Sequence, residues 1–369
     1  MIIININDKY YLLKYFILCY LILIIIFYFS FINSQKEKIN RSTFNKFLNS
    51  KDYKKNKFII LQHKCNTCGL FSFFKVSIGC IYISKVPHFI KWLSFLIKVL
   101  KYLTEGYIPI IDLKSYPNII NGFDTKKNNI WEIFFVQPFG YNLEEVMKKA
   151  KKIKMINDPW KVCTPWPDQR NLPFEESKRY FWYNFAKKFS PIKRELIDLS
   201  NKIMNNLFKN SKNILGVLAR GTDYIAMKPK AHPVQPNLYD IIKDIKSMDD
   251  KYNYDYIFFS SEDQTYKDIL SKSFPDKIKQ IKSKININYD YKQKQYLGFN
   301  KNVKGNIEFN KIYLLNIIIL SKCLDLIATK CNGTVGILIL SNGFRNTKIY
   351  ELGLYHWFYL WYNGYSWLI

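Results

Sequence analysis

Acidic residues are scarce in this chain of 369 residues: 29 Asp and Glu stand against 56 Lys and Arg, a formal charge of +27. That imbalance points to an anionic partner such as lipid headgroups or a phosphorylated substrate. Zinc-finger spacing, an RNP-like strand and a basic helix on heptads are all missing, which argues against a nucleic-acid reader. Most of the excess is Lys scattered among Asn, Ile and Tyr, an ordinary solvated surface rather than one Arg-rich groove. The seven cysteines (Cys19, Cys65, Cys68, Cys80, Cys163, Cys323 and Cys331) are odd in number and irregular in spacing. Such a set argues against a disulfide framework and predicts free thiols in a reducing compartment. Only one CxxC pair occurs, Cys65 and Cys68, and with His63 it still leaves a zinc ion short of ligands, so no metal site is expected. There is no internal repeat.

Apolar material is plentiful, with 48% hydrophobic and 17% aromatic residues, so the chain has a core to build. Residues 15–32, YFILCYLILIIIFYFSFI, carry no charge and reach the lower end of what spans a bilayer as a helix. No small-residue cleavage site follows, so the run reads as a retained single-pass anchor rather than a signal peptide. Lys9 and Lys14 precede it, while Lys36, Lys38, Arg41 and Lys46 follow. Counting those charges favours a cytoplasmic body. A lumenal body is the expectation for a secretory pathway, where the N-x-S/T patterns at Asn40 and Asn332 would matter. In residues 85–101, Lys85, His88, Lys91, Lys98 and Lys101 stack along one side of a helix. That helix suits either the lipid interface or a core position with a solvated stripe.

Beyond the anchor (1–34) and a polar linker (35–56), the pattern alternates. Residues 58–62 and 107–113 (YIPIIDL) read as buried strands of a parallel βαβ unit. Helices are expected over 142–154 and 174–207. A second alternation starts near residue 213, with strands at 214–219, 256–260 and 324–329 and helices at 237–247, 264–271, 307–321 and 334–340. Residues 283–305 read as a polar loop. The expectation is therefore two Rossmann-like, doubly wound α/β domains, at 57–207 and 208–369, behind an N-terminal transmembrane helix.

Ligands of open parallel sheets sit outside the carboxyl ends of the strands, so the loops leaving those strands are where chemistry is expected. The first, LARGTDYIAMKPKAHPVQP (218–236), sets Arg220 beside Gly221, Thr222 and Asp223. A guanidinium presents a planar fork of donors that fits a phosphate, Gly221 lets the backbone approach, and Asp223 can hold the arginine. The plainer alternative is a surface Arg–Asp pair. The second loop, FFSSEDQTY (258–266), carries Ser261, Glu262 and Asp263, which can accept from ribose hydroxyls or a base edge, or cap the next helix. In the third, LIATKCNGTVG (326–336), Asn332, Gly333 and Thr334 open a helix whose first amides suit phosphate oxygens.

LARGTDY resembles the HxRRxD-type arginine motif of the fucosyltransferase superfamily with the GT-B fold, which includes α-1,6, α-1,2 and protein O-fucosyltransferases. YIPIIDLKSYPN and WEIFFVQPFGY resemble N-terminal-domain stretches of bacterial polysaccharide-linked relatives, and ATKCNGTVG lies where the family's third motif lies. The resemblance spans about residues 58–355 as scattered motifs. It implies a metal-independent, inverting transfer of fucose from GDP-fucose, with no cofactor beyond that donor substrate. The donor would be held mainly by residues 208–369, and the acceptor would be a glycan, lipid-linked glycan or glycoprotein at a membrane. Arg220 would neutralise the diphosphate leaving group and Asp223 would orient it. Gly69, Leu70, Phe71 and Ser72 would line the cleft, in place of the family's Gly-rich first loop, and His232 is added to the donor side. Candidates for the base that takes the acceptor proton are Asp112, ranked first, Glu132 and His232. Leu218 stands at the family's histidine position and Gly221 at its second arginine, which supports an alternative: a tethered protein that binds nucleotide sugar with reduced transfer. A third reading is an oxidoreductase built on Cys65 and Cys68.

Overall fold

A strand buried on both faces needs apolar residues at consecutive positions, and Phe58, Ile59, Ile60 and Leu61 supply them, all four fully buried. They lie in β1 (Lys57–Gln62), the middle strand of a parallel sheet ordered β2-β1-β3, with β2 (Ile108–Asp112) and β3 (Lys152–Asn157). The computed structural model describes residues 52–63, 68–85, 107–113, 129–157, 159, 167–282, 289–292, 294, 296–297, 300 and 306–355, all within one unit, Asp52–Ile369. The apolar run 15–32, the basic stripe beyond Lys85, Cys65 and Cys163 lie outside the described residues. Among the described residues, no helix is long and apolar enough to cross a membrane.

Four expectations change. The stretch Leu70 to Ser72 is the first turn of α1 (Leu70–Lys85), not a loop. Its sequence is apolar nearly all round, the mark of a helix buried inside the molecule, where no amphipathic period is required. The helix expected over 142–154 ends early: α2 (Leu143–Lys149) is followed by β3. There Lys152, Ile153, Lys154 and Met155 alternate with the period of a half-exposed edge strand, and period 2 wins over period 3.6. The helix expected over 174–207 is two, α3 (Glu176–Phe189) and α4 (Arg194–Phe208), separated at Ser190 and Pro191 because proline has no N–H for the helical ladder. Lastly, Cys68 and Cys80 are each in a disulfide, whereas Cys323 and Cys331 are free and buried. The expectation of free thiols throughout is corrected accordingly: spacing along a chain does not reveal which cysteines meet in space.

The second sheet is parallel throughout and ordered β6-β5-β4-β7-β8, from β4 (Ile214–Leu218), β5 (Tyr256–Ser260), β6 (Ile278–Lys279), β7 (Asp325–Ala328) and β8 (Thr347–Ile349). The chain enters at β4, moves outward through β5 and β6, then crosses back to β7 on the other side of β4. Strand order thus reverses between β4 and β7, and the connections that leave in opposite directions open a crevice at their carboxyl ends. After α5 (Thr222–Met227), helices α6 (Leu238–Tyr252) and α7 (Gln264–Ser273) cover one face, where Ile241, Ile245 and Leu270 join Leu215, Val217, Ile257 and Phe259 in one core.

Helices α8 (Ile307–Leu320) and α9 (Asn332–Leu340) complete this half. α9 is apolar on every side because it is surrounded, packing on α8 and also on α1 and α3, so that it joins the two sheets. Gly336 permits the approach: a Cβ there would stand 2.4 Å from the Phe71 ring. Just past α9, the buried Arg179 of α3 donates to the Ser341 carbonyl (2.6 Å) and the Asn342 carbonyl (3.2 Å), oxygens that the helix end leaves open.

Candidate functional site

The loops leaving β4, β5 and β7 converge at the reversal point. The Thr329 amide donates to the Leu218 carbonyl (3.1 Å), and the Arg220 amide donates to Thr329 Oγ1 (3.0 Å), so the β4 and β7 ends are pinned together by one backbone bond and one to a side-chain hydroxyl. Arg220 projects from that junction with its side chain only 20% exposed. Its Nη2 meets Asp223 Oδ1 at 2.7 Å and its Nη1 meets Glu262 Oε1 at 2.9 Å. The guanidinium lies 4.7 Å from the centre of the Tyr224 ring, and its Nε is buried with no partner. Burial works against the charge, but the carboxylates of Asp223 and Glu262 prevail and hold Arg220 protonated far above its ordinary range. Burial also raises Glu262, with Arg220 pulling in the other direction.

Gly221 and Thr222 make this packing possible. A Cβ on Gly221 would fall 2.8 Å from Asp263 Oδ2, so the β4 loop reaches the β5 loop only without a side chain there. Thr222 is fully buried at φ 47°, a backbone region unfavourable for a β-branched residue, and its hydroxyl lies 3.1 Å from Glu262 Oε1. Asp223 also accepts from the Leu297 amide (3.1 Å).

The β5 loop divides its work. Glu262 faces Arg220, whereas Asp263 accepts from the Thr265 amide (2.9 Å) as the cap of α7 and from the Tyr291 hydroxyl, and Ser261 Oγ accepts from the Asp263 amide (3.1 Å). After β7, Cys331 sits at the start of α9, where burial pushes its thiol up above its ordinary range. Thr334 donates to the Thr329 carbonyl (2.5 Å), and Gly333 lies so close to Tyr313 that a Cβ would stand 2.6 Å from its hydroxyl. Asn332 Nδ2 donates to Ser72 Oγ (2.7 Å), tying the first turn of α9 to the first turn of α1, while Asn332 Oδ1 is buried without a partner.

The remaining sequence candidates hydrogen-bond to groups other than Arg220. His232 is half-buried, its Nδ1 3.0 Å from the Lys230 carbonyl, and meets the Tyr224 ring edge-on at 5.3 Å. Gly69 is exposed one residue before α1, with open space where a Cβ would stand and its carbonyl accepting from the Ser72 amide (2.9 Å). Asp112 is buried at the carboxyl end of β2 and accepts from Gln62 Nε2 (3.0 Å). Glu132 accepts from Gln137 Nε2 (2.9 Å), Asn142 Nδ2 (2.6 Å) and the Leu143 amide (3.0 Å) and ties its own loop together. Two residues of the site carry no sequence signal: Tyr224, and Gln169, whose Oε1 lies 3.3 Å from the Tyr224 hydroxyl. They are 55 positions apart, and no local pattern relates them.

No protein-family model and no curated protein matches the chain. Among solved structures the chain is similar to the fucosyltransferase NodZ from Bradyrhizobium, with 12% identity, 78% of this chain and 94% of that chain covered, and a TM-score of 0.41. It is also similar to POFUT1 in an apo form, with 10% identity, 80% and 98% covered, and a TM-score of 0.43, and to NodZ α-1,6-fucosyltransferase soaked with GDP-fucose, with 12% identity, 78% and 93% covered, and a TM-score of 0.41. At such TM-scores the fold is read from the strand order itself.

Proposed function

We propose that the chain is a glycosyltransferase of GT-B-like design that transfers a sugar with inversion, and without a metal, from a nucleotide diphosphate donor to a glycan or glycoconjugate. The resemblance of LARGTDY to the fucosyltransferase motif makes GDP-fucose the proposed donor. One observation carries the reading: Arg220 stands at the strand-order reversal with its Nε unpartnered and its own amide bonded to Thr329, in the loop that leads from β7 into α9. Each terminal nitrogen uses one N–H on a carboxylate and keeps another, which together with Nε–H suits phosphate oxygens. Charge that builds on the leaving diphosphate meets a cation already held by Asp223 and Glu262, so little reorganisation is needed in the transition state. The amides of Gly333 and Thr334 are the proposed second phosphate contact, with Ser261, Asp263, His232, Gly69 and Ser72 around the cleft. Asp112 is the proposed base.

The run 15–32 is the proposed membrane anchor. The disulfides at Cys68 and Cys80 favour an oxidising compartment for the body, and so the lumenal or outer side of that membrane rather than the cytoplasm. The second reading, nucleotide-sugar binding without transfer, is favoured by Leu218 and Gly221, which stand where the resembling motif has a histidine and a second arginine.

Calorimetry of the full chain with GDP, GDP-fucose and other nucleotide sugars, alongside a transfer assay, tests these readings. Arg220→Ala is expected to weaken GDP binding at least about tenfold, as for the loss of a charged hydrogen bond. Asp112→Asn is expected to keep GDP affinity and slow transfer about 100-fold. An Arg220→Ala variant that binds GDP like the parent overturns the donor site. Binding by the parent without any product selects the second reading.

A further inference from the structure

Carboxylates grip Arg220 only at its two terminal nitrogens. A planar group held along one edge can still rock about that edge unless a surface lies under it. Tyr224 is that surface, 4.7 Å beneath the guanidinium. The ring is itself secured: His232 meets it edge-on, and its hydroxyl donates to Gln169 Oε1 at 3.3 Å. Phenylalanine would fill the same space, so the phenol oxygen is explained by its partner rather than by packing.

Gln169 comes from far upstream, in the short turn Gln169–Asn171. The turn is anchored by its neighbour. Asp168 is buried, ion-paired to the buried Lys75 of α1 at 3.0 Å, and it also accepts from Arg170 Nε at 2.9 Å. A continuous series of contacts thus runs from α1, beside the first sheet, through Lys75, Asp168, Gln169 and Tyr224, to the arginine at the mouth of the second.

We infer that Tyr224 and Gln169 are positioning residues for Arg220: the turn anchored on α1 sets the tilt of the guanidinium, so the donor site of the second sheet is completed by the first half of the chain. This inference rests on the reading of Arg220 as the diphosphate contact.

The test uses GDP calorimetry on the full chain with Tyr224→Phe, Gln169→Leu, their combination, and the same three changes made in an Arg220→Lys background. Lysine keeps the charge but has no plane to rest on a ring. Each single change is expected to weaken GDP binding about fivefold, the usual scale of one hydrogen bond, and the combination no further than either alone. In the Arg220→Lys background all three should alter GDP affinity less than about twofold, since no guanidinium is left to tilt. Parent-like affinity in both single variants overturns the inference. So does an equal loss in both backgrounds, which would mark general structural support. If Gln169→Leu does not fold, the near-isosteric Tyr224→Phe decides the question by itself. Failure of the underlying reading looks different, because Arg220→Ala would then bind GDP as the parent does.

Discussion

Thr222 holds a left-handed backbone at φ 47°, a conformation that costs a β-branched residue on the order of 1–3 kcal/mol. The surrounding contacts keep it there: full burial, a hydroxyl on Glu262, and the close approach of Gly221 to Asp263. The strained turn is what swings Asp223 back onto Arg220. A different residue contributes to the response to acid. His63 is buried against Phe73 and Ser77, and burial pushes its imidazole down to about 3. The unfolded chain takes up a proton as pH falls through about 6.5, while the folded chain does not until about 3. Its contribution is therefore fully present above pH 6.5 and is lost progressively as pH falls across that window, up to about 5 kcal/mol in all. His63→Gln, which cannot charge, should flatten the fall in stability between about pH 6.5 and 4.5 when unfolding is followed by urea titration. Parallel curves for the two proteins would assign the acid sensitivity to other groups.

Among the elements, α9 joins the halves, and its glycine is what lets it do so. Gly336→Ala puts a methyl group 2.4 Å from the Phe71 ring, an overpacking expected to cost about 1–3 kcal/mol. Adding Phe71→Leu should recover part of that loss, so that the pair is non-additive in a thermal-melt cycle. Additive losses would mean that α9 and α1 do not press on each other at this point. The existence of α9 is legible in the residues, because NGTVGILIL follows a buried strand through a glycine-bearing turn. Its surroundings are not. A helix apolar on all sides announces burial but does not say against what, and the same ambiguity hid α1 in LFSFFKVSIGCIYISK.

For the whole molecule, the disulfides at Cys68 and Cys80 bear on both stability and compartment. Breaking native disulfides commonly costs about 2–4 kcal/mol each. Reductant should therefore lower the urea midpoint of the full chain, while the buried, free Cys323 and Cys331 stay unreactive until unfolding. Identical midpoints with and without reductant would remove the case for an oxidising compartment.

The apolar strands around 214–218, 256–260 and 325–328 and the helices capped by Asn237, Asp263 and Asn306 are determined by the residues themselves, since periodicity and capping act over a few positions. So is Arg220 at a strand's end beside Asp223, three residues away. What only the tertiary structure decided is which groups come from a distance: Glu262 onto Arg220, Gln169 under Tyr224, Ser72 onto Asn332 across 260 positions, and Asp263 and Ser261 spent mainly on capping a helix. Those pairings depend on the order in which parallel strands lie side by side, a property of the assembled sheet that no spacing along the chain encodes.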